Sequence, residues 1–277
     1  MDAFIRNKPY SGPVQAVVLD WAGTAVDHGC IGPVAVFLEV FARREVEVSA
    51  AEARAPMGLM KKDHIRAMLA DPAVAGRWRE RHGRVPDERD VEDMYQETEP
   101  LMVSCIAKHA TPISSLPSAM LEFRRQGVKI GSSTGYTRSM LYVLAKAAAE
   151  QGYTPDAAVS SSDAPRGRPY PYMCYRNATL LEVYPLEAMV KIGDTVSDIH
   201  EGLNAGMWTI GLTRTGNELG LTEAETEALP KDELRRRLDA IGRRFQDQGA
   251  HYVAEDIGQC PSLLAQISER LSRGERP

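Results

Sequence analysis

Asp20 follows an apolar, β-branched run and stands just ahead of Gly23-Thr24. A carboxylate at a strand end can attack phosphorus and form an aspartyl phosphate. Aspartate there also serves as a turn or helix cap. A second acidic tract, Gly193-Asp194-Thr195-Val196-Ser197-Asp198, sets two carboxylates four residues apart. They sit where a strand pattern gives way to a helix, so they can face one pocket with Asp20. Mg²⁺ favours such a site, taking one or two carboxylates plus water and phosphate oxygens. Helix capping by Asp194 or Thr195 is the alternative. In Ser132-Ser133-Thr134-Gly135, a hydroxyl and backbone N–H groups can hold a phosphoryl oxygen, with Thr134 the first choice and Ser133 the next. Arg168, in Arg168-Pro169-Tyr170-Pro171-Tyr172-Met173, is a cation on a loop before a helix and can screen developing phosphoryl charge. Each tract alone reads equally well as a turn, a cap or a surface residue. Their joint occurrence points to phosphoryl chemistry around a metal.

Parallel strands must position these tracts. Apolar runs at 14–19, 128–132, 157–160, 189–193 and 208–212 alternate with helical patterns at 115–126, 137–151, 170–182 and 196–205. This alternation predicts an α/β fold with a doubly wound parallel sheet, whose ligands gather beyond the carboxyl ends of the strands. The stretch 29–111 holds no strand pattern. It reads as helices at 33–44, 59–70, 72–82 and 88–109, an inserted α-helical cap domain. The core domain is then 1–28 with 112–277. Gly29, Gly32 and Pro33 mark one crossing near 28–32, and Pro112 marks the other near 109–114. The C-terminal part offers a charged helix at 231–248, an edge strand at 251–254 and a last helix at 262–272, with no chemistry assigned.

The inserted block carries one further candidate tract, Met57-Gly58-Leu59-Met60-Lys61-Lys62-Asp63-His64. On a helix Lys61 and His64 share a face. A solvated helix face is the alternative.

In order and spacing, these tracts resemble the haloacid dehalogenase superfamily with a helical cap after the first strand. Phosphotransferases of that superfamily carry Asp-x-Asp in the first motif, and the second Asp acts as general acid and base. Here that place is Ala22, so ordinary phosphate-ester hydrolysis lacks its proton donor. Asp20-Trp21-Ala22-Gly23-Thr24 occurs with the Met57–His64 tract, Ile130-Gly131-Ser132-Ser133-Thr134-Gly135-Tyr136-Thr137 and the Arg-Pro-x-Pro-x-Met tract. This combination is similar to the phosphonoacetaldehyde hydrolase (phosphonatase) family over roughly residues 14–215. The resemblance implies hydrolysis of a carbon–phosphorus bond, with Lys61 forming a Schiff base and Asp20 as nucleophile. It also implies Mg²⁺ bound by Asp20, the Ala22 carbonyl oxygen and Asp194, and a homodimer. His64 is expected to shuttle protons, beside Thr134 and Arg168 in catalysis. Cys30, Met57, Gly58, Ser133, Gly135, Tyr136 and Asp198 are expected to bind substrate, although Cys30 and Met57 fit simple packing nearly as well. A phosphomutase would need the acid missing at Ala22. A Schiff-base aldolase would not need the three aspartates, and a decayed binding protein would not need the whole set.

The bulk properties agree. The 277 residues suit a core with an insertion. The 33 basic and 38 acidic residues leave a net charge of −5 with no basic stripe for nucleic acid. Cys30, Cys105, Cys174 and Cys260 form no Cys-x-x-Cys pair, which fits reduced thiols. Residues 1–13 are polar, and no apolar run approaches the roughly 20 residues of a membrane span. A small-molecule phosphonate substrate and a cytoplasmic location are expected.

Overall fold

The computed structural model describes residues 8–277, so the polar tract 1–13 and the start of the expected core lie partly outside the described residues. The chain runs β1 (Ala16–Leu19), α1 (Ile31–Ala42), α2 (Ala50–Arg54), α3 (Lys61–Ala70), α4 (Pro72–His82), α5 (Glu88–Cys105), α6 (Leu116–Arg125), β2 (Lys129–Thr134), α7 (Arg138–Ala149) and β3 (Ala157–Ser160). It continues with α8 (Tyr172–Leu180), β4 (Met189–Gly193), α9 (Val196–Ala205), β5 (Trp208–Leu212), α10 (Glu223–Ala228), α11 (Lys231–Asp247), β6 (Tyr252–Ala254) and α12 (Cys260–Ser272).

The strands form one sheet in the order β3-β2-β1-β4-β5-β6, with every pairing parallel. Parallel sheets need both faces covered, and β1, β4 and β5 are buried at every residue. The order turns back at β1, whose neighbours are β2 on one side and β4 on the other. A crevice therefore opens at the carboxyl ends of these strands. Register decides what meets there. Leu19 lies opposite Ser132 and Ile192, so Asp20 emerges beside Ser133 and just short of Asp194.

The doubly wound parallel sheet and its inserted helices agree with the fold predicted from sequence; several helix ends shift by two to four residues, and three further details differ. Strand β2 continues to Thr134 instead of stopping at 132, because its polar side chains are satisfied in place: Ser132 Oγ donates to the Ala157 carbonyl at 3.2 Å. Helix α8 starts only at Tyr172, after the prolines at 169 and 171. Short helices α2 and α10 were not expected. Each is held by a capping box, Ser49 with Glu52 and Thr222 with Glu225.

Helices α1 to α5 pack around Phe37, Phe41, Ile65, Met68, Trp78 and Met94, all buried. The turn 57–60 ahead of α3 presses onto the core at two glycines. Gly58 takes φ +91°, and a side chain there would meet Thr195 Oγ1 at 2.7 Å. A Cβ on Gly135 would sit well inside contact with the Leu59 carbonyl oxygen. Met60 Sδ accepts from Gly167 N at 3.0 Å. Arg54 also bridges the two parts, donating to the carbonyls of Gly29 at 2.7 Å and Gly220 at 3.0 Å. Among the described residues no helix is long and apolar enough to cross a membrane, and Cys30, Cys105, Cys174 and Cys260 are all free thiols.

Gly135 has no left-handed φ, so alanine is allowed there by its backbone, and the approach of the Leu59 and Gly58 carbonyls opposes it. Gly135→Ala should hold the inserted helices off the core. Hydrogen exchange over 57–61 should rise several-fold while exchange in β1 and β4 stays unchanged. Unaltered exchange over 57–61 would show that this contact does not set the closure.

Candidate active site

Asp20, Ala22, Cys30, Pro33, Met57, Gly58, Lys61, Thr134, Gly135, Tyr136, Arg168 and Thr195 line one small cavity between the inserted helices and the strand ends. Only about 20 Å³ of it is open to the centre of a water-sized sphere. That is room for about one water molecule.

Lys61 is the first residue of α3 and is buried. Among the described residues its Nζ has no hydrogen bond or ion pair. It lies instead over the Tyr136 ring, 4.7 Å from the centroid, and 5.5 Å from that of Phe37. Burial pushes its pKa down to about 8; Asp20 and Cys30 oppose the shift and Arg168 adds to it. A start-of-helix position also disfavours a cation. The amine is thus available as a nucleophile near neutral pH. Burial likewise holds the Cys30 thiol and the Tyr136 phenol well above their ordinary values, so both stay protonated.

The carboxylates form two groups. In the first, Asp20 and Asp194 face each other at the strand ends. Thr24 Oγ1 donates to Asp194 Oδ1 at 2.8 Å, and Asn217 N donates to its Oδ2 at 2.8 Å. Burial, followed by the charges of Asp20 and Asp198, raises Asp194 to about 8. Burial also raises Asp20, against the pull of Arg168. In the second group, Asp198 and Glu201 are matched by Arg168 and Lys191, all buried. Lys191 Nζ donates to Asp198 Oδ1 at 2.7 Å, and Arg168 Nε donates to Glu201 Oε2 at 2.8 Å. Burial alone would raise Asp198; Arg168 and Lys191 overcome it and hold the carboxyl below its ordinary value.

This arrangement fits a divalent cation. Four buried carboxylates, Asp20, Asp194, Asp198 and Glu201, face two cations, Arg168 and Lys191. Arg168 is shared between Asp20, Asp198 and Glu201, which leaves an excess of two negative charges centred on Asp20 and Asp194. The ligand oxygens of Asp20, Asp194 and Asp198 lie within 4.8 Å of one another. Asp198 is the weakest of the three as a ligand, because Lys191, Arg168 and Thr195 already occupy both of its oxygens. The Ala22 carbonyl oxygen accepts no hydrogen bond among the described residues and borders the cavity. Asp20, Asp194 and this carbonyl are therefore the groups that could hold Mg²⁺, a hard ion served by oxygen.

Ten of the residues expected from sequence border the cavity, and Asp194 lies behind it. Three others sit elsewhere. Asp198 is tied to Lys191 and Arg168, behind the wall. Ser133 faces Arg168 and Glu201, accepting from Arg168 Nη2 at 3.0 Å and donating to Glu201 Oε2 at 3.1 Å. His64 stacks on Phe37 with ring centroids 3.8 Å apart, and its Nε2 is 2.9 Å from the Ala53 carbonyl. Burial and then Lys61 drive its pKa well below the ordinary value, so the ring is neutral. Sequence reasoning missed Pro33 and Thr195 as lining residues and Lys191 and Glu201 as charge partners. Two signals were present: a lysine inside the strand Met-Val-Lys-Ile-Gly, and a glutamate one helical turn after Asp198.

The parallel sheet, the helical insertion and the paired aspartates define a class. A family model for haloacid dehalogenase-like hydrolase matches residues 14–206, and the chain belongs to that family. Within it the chain groups with the phosphonatases. It is 60% identical to the phosphonoacetaldehyde hydrolase of Syntrophobacter fumaroxidans over the whole of both chains. It is 48% identical to that of Bacillus cytotoxicus, covering 93% of this chain and 97% of the relative. The crystal structure of a phosphonoacetaldehyde hydrolase-like protein from Oleispira antarctica matches all of both chains with TM-score 0.96 and 38% identity.

Asp194→Asn removes one of the two uncompensated charges. It should weaken Mg²⁺ binding by at least an order of magnitude in titration calorimetry, while melting in the absence of metal is unchanged or improved. Wild-type Mg²⁺ affinity in this variant would remove Asp194 from the ligand set.

Proposed function

We propose that the protein hydrolyses the carbon–phosphorus bond of phosphonoacetaldehyde, giving acetaldehyde and phosphate. The observation that carries this reading is the buried, unpaired Lys61 amine sharing one cavity with Asp20 and with Ala22 in place of a second aspartate. The names of the full-length relatives support it.

Direct attack on phosphorus would expel an unstabilised carbanion. Neutral Lys61 adds to the aldehyde, and the adduct takes up a proton from solvent and loses water to give a protonated imine, which withdraws electrons from the C–P bond. The Asp20 carboxylate then attacks phosphorus in line. The C–P electron pair moves into an enamine, and the phosphoryl group stays on Asp20. Arg168, whose Nη2 is 2.8 Å from Asp20 Oδ1, meets the phosphoryl charge, with Thr134 on the same wall. The enamine takes a proton on carbon and water releases acetaldehyde from Lys61; a second water cleaves the aspartyl phosphate. Mg²⁺, held by Asp20, Asp194 and the Ala22 carbonyl, would neutralise the phosphoryl oxygens when bound. No step needs a proton donor at position 22. We assign His64 to shaping the aromatic wall at Lys61, since its neutral ring lies outside the cavity.

We further propose that residues 29–111 act as a cap that opens to admit substrate, because the closed cavity holds only about one water. A homodimer, as the family resemblance implies, and a cytoplasmic location, as the free cysteines suggest, complete the reading.

The imine is directly testable. Enzyme treated with acetaldehyde and borohydride should lose activity irreversibly, with a secondary amine mapped to Lys61. Lys62, paired with Glu92 on the outside, should remain unmodified. Lys61→Arg should lose nearly all turnover while still binding phosphate. Near-normal turnover in that variant, or an adduct only at Lys62, would rule out the mechanism.

The pH profile has a defined sign. Lys61 must be unprotonated to attack, so kcat/KM should climb about tenfold per pH unit at low pH, with its midpoint at about 8 and its plateau above that. A bound cation would move that midpoint lower, not higher. A midpoint near the ordinary lysine value would show that the amine is not held in this dry site.

A further inference from the structure

Glu201 stands one turn beyond Asp198 on α9, is fully buried and does not border the cavity. Its Oε2 is the meeting point of three donors: Arg168 Nε at 2.8 Å, Ser133 Oγ at 3.1 Å and Lys191 Nζ at 3.5 Å. On the same edge of the guanidinium, Arg168 Nη2 reaches Asp20 Oδ1 at 2.8 Å and the Ser133 carbonyl at 2.8 Å. A planar guanidinium fixed at Nε has little freedom to turn at Nη2. Two anions other than Asp20 hold this cation, and they do different jobs. Asp198 touches Nη2, the nitrogen that reaches Asp20, whereas Glu201 grips Nε, the other nitrogen of the same edge.

From this geometry we infer that Glu201 is a positioning residue, which fixes the rotation of Arg168 so that its outer edge meets the phosphoryl group at Asp20. Lys191 supports it from β4 by holding Asp198 and Glu201 together. The inference rests on the proposed phosphonate hydrolysis, since it assigns Arg168 a phosphoryl group to bind. It predicts a split between the two halves of the site. Lys61 and Phe37 lie on the inserted helices, Tyr136 follows β2, and among the described residues none of the three has a hydrogen bond or ion pair with Glu201. Loss of Glu201's grip should therefore impair phosphoryl binding and transfer while leaving imine formation intact.

Glu201→Asp keeps the charge but draws the carboxylate back by one methylene from Arg168 Nε. If Glu201 served only as a counter-charge, Asp would suffice. The expected result is a protein with a near-wild-type melting temperature and normal borohydride trapping of acetaldehyde. Competitive inhibition by inorganic phosphate should be weakened on the order of 10-fold, with kcat reduced by at least as much. The double variant Lys191→Met/Glu201→Gln removes one charge of each sign. It should fold and show the same split. Unchanged phosphate inhibition and kcat in Glu201→Asp would overturn the inference, as would recovery of both in the double variant. Failure of both variants to fold would mark Glu201 as purely structural and overturn it too. Wild-type protein that releases no phosphate from phosphonoacetaldehyde would instead defeat the proposed function. Wild-type release with an unimpaired Glu201→Asp defeats this inference alone.

Discussion

Two carboxylates, Asp20 and Asp194, are forced together in a dry crevice, and much of the architecture follows from managing their charge. Register at the ends of β1 and β4 brings them together, and the inserted helices seal them from water. Buried charge of one sign is very costly unless it is paired. Nearby anions are already matched: Asp198 and Glu201 by Arg168 and Lys191. That matching is itself fragile, because removing one partner of a buried pair typically costs about 3–5 kcal/mol. The residual demand for positive charge falls on Asp20 and Asp194, and the rise of Asp194 to about 8 expresses it. Structural charges are settled internally, and the unsettled pair is the one whose member Asp20 borders the cavity, with Asp194 directly behind.

The inserted helices solve a different problem. An amine in water near neutral pH is almost wholly protonated, and a protonated amine cannot attack a carbonyl. Setting Lys61 on a segment that descends onto the core desolvates it when the two parts meet. The close approach of Gly58 and Gly135 makes that descent possible. The ring faces of Tyr136 and Phe37 surround the amine without offering it an anion. On the proposed cap movement, closure and activation of the amine would be one event, since the contact that excludes water also sets the amine's proton affinity.

The end of β1 was readable in the sequence because a fully buried parallel strand leaves an unbroken apolar run, which Asp20 closes; β2 and β4 are interrupted by Lys129 and Lys191 but still carry apolar residues ahead of Thr134 and Asp194. Helix α4 was readable to the residue, since Pro72 and Gly83 punctuate it. Helices α2 and α10 were not, because five or six residues show no hydrophobic period; their capping boxes were the usable signal. Ser133 and Thr134 could not be separated by residue type. The strand's alternation separates them, turning Thr134 to the cavity and Ser133 to Glu201. Lys191 and Glu201 escaped notice for a related reason: a charge within an element reads as an exposed one until its partner, distant along the chain, is known.

Ala22 joins these threads. Its side chain borders the same cavity as Lys61 and Asp20. An aspartate in its place would supply the acid that ester-cleaving relatives use, but it would also add a third uncompensated anion within reach of the amine. Asp20 already pulls the Lys61 pKa upward against the effect of burial. A second carboxylate on that wall would pull it further, toward a permanently protonated lysine. An imine-forming lysine and an Asp-x-Asp motif therefore compete for one electrostatic environment. On the proposed chemistry the leaving group is an enamine carbon made stable by the imine, so no acid is needed at position 22, and a neutral methyl there lets the amine remain a nucleophile.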